Sequence, residues 1–186
     1  MADLSDKHVL ILATDGFEQS ELFKPRQALL DAGVKVTLAS IKTDPIQGVV
    51  NDSEKAETIT PDITLDQVDI DDYDALLLPG GVGNPDKMRL EETAVNIVED
   101  FMDDGKIVAA ICHAPWLLVE ADVVDGRRVT SWPSVRTDLT NAGAEVVDEE
   151  VVIDGNLITS RKPDDIPAFN KALLKALAEQ KVAEDA

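Results

Sequence analysis

The residue types best suited to chemistry are Cys112 and His113, inside the stretch Lys106-Ile-Val-Ala-Ala-Ile-Cys-His-Ala-Pro-Trp116. The chain contains one cysteine and two histidines, and the cysteine has a histidine beside it here. A thiol next to an imidazole is a nucleophile with a proton carrier at hand. The flanking residues show how the pair would be presented. Ile107 to Ile111 is a short apolar run after Gly105, which predicts a buried parallel strand, and Pro115 fits the first turn of a helix. Cys112 and His113 then occupy a tight strand-to-helix corner, which pushes a nucleophile clear of a sheet. A thiol there, near a helix N-terminus and an imidazole, is expected to ionise below the ordinary value of a free cysteine.

Two other stretches carry groups that such a thiol would use. His8-Val-Leu-Ile-Leu-Ala13 predicts a buried strand, Asp15-Gly16 a turn, and the residues from about Phe17 to a stop at Gly33 an amphipathic helix. Glu18 and Glu21 fall in its first turn, where the helix dipole favours acids. Asp74-Ala-Leu-Leu-Leu78 predicts a third buried strand that runs into Pro79-Gly-Gly81. Adjacent glycines allow backbone with positive φ, in which successive N–H groups point into one concavity, so Gly80 and Gly81 read as an oxyanion-binding turn. There is no GxGxxG or GxxxxGK phosphate loop.

The elements that must position these residues alternate along the chain. Val34 to Ser40 reads as a strand, Glu92 to Asp104 as a helix, Pro115 to Ala121 as a short helix, Val129 to Ser131 as a strand and Pro133 to Ala142 as a helix. Val151 to Thr159 reads as a hairpin around Asp154-Gly155, preceded by Glu145 to Val147, and Ile166 to Ala178 as a closing helix. Pro45 to Pro61 suggests a small hairpin excursion with no assigned role. This alternation predicts an α/β fold, a three-layer α/β/α sandwich with a mostly parallel sheet. Loops that follow different parallel strands meet at the carboxyl edge of such a sheet. Glu18, Gly80 with Gly81, and Cys112 with His113 are therefore expected to converge: a carboxyl group to hydrogen-bond the thiol, an imidazole for proton transfer and N–H groups for a developing oxyanion.

Composition narrows the setting. With 186 residues and 44% hydrophobic content, the expectation is one domain over residues 1–186. The N-terminus has no apolar signal segment and no run suited to crossing a bilayer, which points to a cytoplasmic protein with no membrane partner. A single cysteine forms no internal disulfide and agrees with a reducing compartment. The 37 acidic and 17 basic residues give a net charge of -20, which argues against a nucleic-acid partner. The acids are scattered and not gathered in a tail, the pattern of a surface adapted to high salt. One cysteine and two histidines without HExxH or CxxC spacing argue against a metal site.

Taken together, Phe17-Glu18 with Glu21-Leu22, Leu78-Pro-Gly-Gly81, Ala110-Ile-Cys-His-Ala-Pro115, and the run from Gly126-Arg-Arg-Val-Thr-Ser131 through Asn141-Ala-Gly143 and Val152-Ile-Asp-Gly155 to Ser160-Arg161 resemble the DJ-1/PfpI family of the class I glutamine amidotransferase-like superfamily, most closely its PfpI-like branch of intracellular proteases. The resemblance spans nearly the whole chain. It implies a flavodoxin-like sandwich with Cys112 as nucleophile, Glu18 as its protonated partner, His113 as general base, and the Gly81 and His113 N–H groups as oxyanion donors. It also implies an acidic residue after the Pro-Gly-Gly loop, supplied by a neighbouring subunit, that orients the histidine. The matching position is Asp86, an aspartate where the protease pattern has the longer glutamate, and Ala114 stands where some members have glycine. The expected function is thus a cofactor-independent cysteine hydrolase or lyase, protease-like, glyoxalase or deglycase, acting as a homo-oligomer on small carbonyl compounds or on glycated or unfolded peptides. A redox sensor or stress chaperone that oxidises Cys112 reversibly is the alternative.

Overall fold

In the computed structural model, which describes residues 4–184, the elements in chain order are β1 (His8–Leu12), β2 (Phe17–Glu18), α1 (Gln19–Asp31), β3 (Lys35–Ser40), β4 (Ile46–Val50), β5 (Glu54–Ile59), β6 (Ile63–Thr64), β7 (Ala75–Leu78), α2 (Gly83–Met88), α3 (Glu92–Asp103), β8 (Ile107–Ile111), α4 (Pro115–Glu120), β9 (Arg128–Val129), α5 (Arg136–Asn141), β10 (Glu145–Val146), β11 (Val151–Asp154), β12 (Leu157–Ser160) and α6 (Ile166–Glu184). The central sheet runs β11-β12-β8-β7-β1-β3-β6. Every neighbouring pair in it is parallel except the β11–β12 hairpin at one edge.

Alternation along the strands divides the core in two. Leu10, Leu12, Leu76, Leu78, Val108 and Ala110 face one side, where Phe101 of α3 and Leu117 and Leu118 of α4 pack on them. Val9, Ile11, Ala75, Leu77, Ala109 and Ile111 face the other side, against Leu22 and Leu29 of α1 and Phe169 and Leu173 of α6. Helices cover both faces of a mostly parallel sheet, the flavodoxin-like three-layer α/β/α arrangement. The long apolar strands read from the sequence are its central members, because strands covered on both faces have no polar side to show.

Chain order reverses between β1 and β7: from β1 the chain moves outward to β3, then returns to the opposite side of β1 as β7. The loops at the carboxyl ends of these two strands diverge there and leave a crevice. Buried Asn84 ties its two sides together, accepting from the Thr14 N–H at 2.8 Å and donating to the Pro79 carbonyl at 2.9 Å. The excursion at Pro45 to Pro61 is the β4–β5 hairpin, which joins β2 in a separate three-stranded sheet and reaches back over this crevice.

Candidate active site

Cys112 leaves β8 with a φ of 64°, in the left-handed region that side chains other than glycine rarely adopt. Strand alternation would send residue 112 to the α3–α4 side. The left-handed turn returns it instead to the α1–α6 side, where it packs with Ile111 and Leu22. Such backbone costs on the order of 1–3 kcal/mol and persists only where neighbours hold it. Here the Cys112 N–H donates to the Ser160 carbonyl at 3.0 Å, and its own carbonyl accepts from the Trp132 N–H at 2.9 Å.

Cys112 Sγ lies 3.1 Å from His113 Nδ1. His113 Nε2 lies 3.2 Å from Ser134 Oγ, and Trp132 stacks on the ring with centroids 5.7 Å apart. Burial holds the imidazole below its ordinary value, partly offset by the charge of Asp52, so the ring is neutral at pH 7. With Ser134 accepting from Nε2–H, Nδ1 is the nitrogen left to take a proton from sulfur.

The carboxyl group against the thiol is that of Glu21, which corrects the placement of Glu18 there. Glu21, Leu22, Pro25 and Leu29 form the buried face of α1, so helical spacing turns Glu21 inward onto the sheet. Its Oε2 accepts from the Gly80 N–H at 3.0 Å. Its Oε1 is buried with no hydrogen-bond partner of good geometry, which leaves the adjacent sulfur, with which the carboxyl is electrostatically coupled, as the group it can engage. Burial pushes Glu21 up to about 8, so at neutral pH it carries a proton. Glu18 instead lies in β2, ahead of the helix, and its carboxylate accepts from the backbone of Asn51 and Asp52. It is raised by burial and lines the same cavity.

The expectation of an acidic thiol is also revised. Burial pushes Cys112 up, and an ionised Glu21 would push it further, whereas the Gly81 and His113 N–H groups favour the thiolate. Because Glu21 is protonated near neutral pH, its charge is absent there, and burial is the main opponent of ionisation.

The Gly80 N–H, expected to bind an oxyanion, is already committed to Glu21. Gly80 is glycine for space: a Cβ would strike the Glu21 carboxyl and the Cys112 side chain. Gly81 has a φ of 79°, and a Cβ there would collide with the backbone of Gly16 and Glu18. Its N–H faces the sulfur beside that of His113. Asp86 is exposed on α2, and in the single chain the group at His113 Nε2 is Ser134.

A cavity of about 210 Å³ opens over the sulfur. Glu18, Asn51, Asp52, Trp132 and Pro163 complete its walls. Asn51 and Asp52, with φ of 52° and 60°, form the tip of the β4–β5 hairpin, the turn in which both central residues take positive φ. Asp52 Oδ1 accepts from the Val82 N–H at 2.8 Å and ties the tip to the glycine turn. The sequence suggests only a hairpin excursion between Pro45 and Pro61, from Gly48 and Asn51. Nothing in it joined that turn to the site.

Comparison with known proteins decides the family. The profile of the DJ-1/PfpI family matches residues 7–176. The chain belongs to the DJ-1/PfpI family. Among DJ-1/PfpI relatives it is similar to a deglycase of Thermococcus kodakarensis, 44% identical over 169 residues, 91% of this chain and 98% of that one. It is similar to protein/nucleic acid deglycase 2 of Escherichia coli, 43% identical over 173 residues, 92% of this chain and 98% of that one. Drosophila melanogaster DJ-1beta shares its structure with a TM-score of 0.84 and 34% identity, covering 96% of each chain. Among the described residues no helix is long and apolar enough to cross a membrane.

Proposed function

We propose that the protein is a cofactor-independent cysteine enzyme that turns over small 2-oxoaldehydes and the adducts they form on amines. The observation that carries this reading is the 3.1 Å contact between Cys112 Sγ and His113 Nδ1 beneath a cavity of about 210 Å³. That volume is below the roughly 300–1,000 Å³ of pockets for drug-sized ligands, which favours a small carbonyl compound over a length of peptide.

The sulfur attacks the aldehyde carbon, the carbonyl π pair moves to oxygen, and the thiol proton passes to Nδ1. The Gly81 and His113 N–H groups receive the oxyanion. Moving a proton from the attacked carbon to the neighbouring carbonyl carbon converts the thiohemiacetal into a thioester with no external oxidant. Water then releases a 2-hydroxy acid and the thiol. For an amine adduct, the sulfur bonds to the carbon that bears nitrogen, the C–N bond breaks, and the amine departs with the thiol proton returned by His113, which leaves the same thiohemiacetal. Glu21, protonated beside the sulfur, holds the thiolate by donating to it. Ser134 Oγ is placed to accept from Nε2–H, the tautomer in which Nδ1 accepts the thiol proton. The names of the deglycase relatives support the adduct as substrate.

In a homo-oligomer, Asp86 of a second copy would approach His113 from the open side of the crevice, and its exposure on α2 leaves it free to do so. The test follows loss of methylglyoxal, release of amines from its adducts and cleavage of peptides in parallel. Cys112→Ser should abolish turnover, His113→Ala should lower it by roughly 10²–10⁴-fold, and Asp86→Ala should lower it without altering the fold. Reversible peroxide oxidation of Cys112 without turnover of any of these compounds would replace this reading with the redox-sensor reading.

A further inference from the structure

A second cavity, about 250 Å³, is lined by Trp132, Pro133, Arg136, Asp148, Arg161 and Lys162. Trp132 is also a wall of the cavity over Cys112, and Pro163, next to Lys162 in the chain, lines that cavity too. The two spaces are therefore neighbours that share one indole. Three basic residues gather in the second, in a chain whose net charge is -20.

The Arg161 guanidinium there is held in place. Arg161 Nε and Nη2 donate to the two carboxylate oxygens of Asp165 at 2.8 and 3.0 Å, and Asp165 is 4% exposed. This two-pronged contact sets the plane of the group and leaves Nη1 directed elsewhere. Arg161 Nη1 and Arg136 Nη2 converge on a single oxygen, Asp148 Oδ1, at 2.9 and 2.8 Å. Arg136 Nε is buried without a hydrogen-bond partner. The Asp148 side chain is 61% exposed, and ion pairs this open contribute little to stability. Two arginines thus converge on one oxyanion, whose carboxylate stands open to solvent.

We propose that this pocket binds the anionic group, a carboxylate or a phosphate, of the substrate whose carbonyl reacts at Cys112, and that Asp148 is its displaceable internal occupant. The proposal rests on the cysteine-enzyme reading above and adds the substrate class: carbonyl adducts that carry an oxyanion. Arg136 and Arg161 would grip the anion, Lys162 would add charge at the rim, and Trp132 would lie along the intervening part of the substrate.

The experiment compares kcat/KM for methylglyoxal adducts in two pairs: N-acetylarginine against its amide, which lacks the carboxylate, and guanosine monophosphate against guanosine. The first pair isolates a carboxylate and the second a phosphate. In the wild type the member of at least one pair that carries the anionic group should be favoured about tenfold, the size of one charge-assisted hydrogen bond. That ratio should fall toward one in Arg136→Gln and rise in Asp148→Asn, an increase that damage to the fold would not produce. A ratio near one in both wild-type pairs, or one unaltered in both variants, overturns the proposal. If no adduct is turned over, the catalytic reading fails, and calorimetric titration of Cys112→Ser with N-acetylarginine and guanosine monophosphate then decides the pocket. Saturable binding that the partners without the anionic group lack and Arg136→Gln removes supports it. No binding of either anion overturns it.

Discussion

Glu21 is the residue whose environment departs furthest from what its type prefers. A carboxyl group with no solvent exposure is tolerated because it stays protonated, accepts from the Gly80 N–H and lies against the thiol. Its folded-state value is raised to about 8 from an ordinary 4.5. The fold binds this proton more tightly than the unfolded chain does. The stability it contributes is therefore full below about pH 4.5 and is lost as pH rises through about 8. Glu21→Gln keeps the shape and has no proton to lose. Relative to the variant, the wild type should weaken across that window by on the order of a few kcal/mol. Urea unfolding of both proteins at pH 5 and pH 9, conditions set on either side of most of the shift, checks this. A constant difference would mean that Glu21 is ionised in the folded protein. The thiol should respond as well: Cys112 alkylation against pH should show two steps in the wild type, where the carboxyl and thiol titrate together, and one in Glu21→Gln.

At the scale of elements, the first turn of α1, the Gly80–Gly81 turn after β7, the corner after β8 and the tip of the β4–β5 hairpin meet at the site. Trp132, Ser134 and Pro163 close it from the far side of the His113 ring and the cavity. The hairpin reaches the site from a separate three-stranded sheet. Its tip is tied by the Asp52 carboxylate to the Val82 N–H and by the backbone of Asn51 and Asp52 to Glu18. Asp52→Ala should cost about 1 kcal/mol, the usual worth of a hydrogen bond. It should speed amide exchange at Val82 and raise KM more than it lowers kcat, because the tip forms a wall of the cavity and does not touch the reacting sulfur. Unchanged exchange at Val82 would show that the hairpin is held by other means.

For the whole molecule the largest unbalanced force is charge repulsion. A net charge of -20 on 186 residues repels itself in dilute buffer, and molar salt shortens that repulsion to about 3 Å. The thermal midpoint should rise by several degrees between low salt and molar KCl, as expected when a few kcal/mol are recovered in a chain of this size. A flat or falling midpoint would show that the acids are already compensated. Local pairs such as Arg89 with Glu120 and Arg128 with Glu149 are too exposed to do that alone.

The sequence by itself determined the layer order and the strand-to-helix corner that carries Cys112. The apolar runs at β1, β7 and β8 have no polar face to mistake, and Gly105 and Pro115 bracket the thiol with unambiguous local chemistry. It also named three of the segments that meet, those after β1, β7 and β8, because loops at the carboxyl ends of parallel strands share an edge. What only the tertiary structure decided was which atom faces which. Glu18 and Glu21 are three residues apart in one acidic, helix-starting stretch, and only the pairing of Glu18 with Val49 in β2 holds it out of the helix and leaves Glu21 on the buried face. Gly80 and Gly81 look alike until the first gives its N–H to a carboxyl group. Asp52, Ser134 and Trp132 reach the site through contacts with Val82, His113 and Cys112 across 30, 21 and 20 positions of chain, and no local pattern encodes such distances.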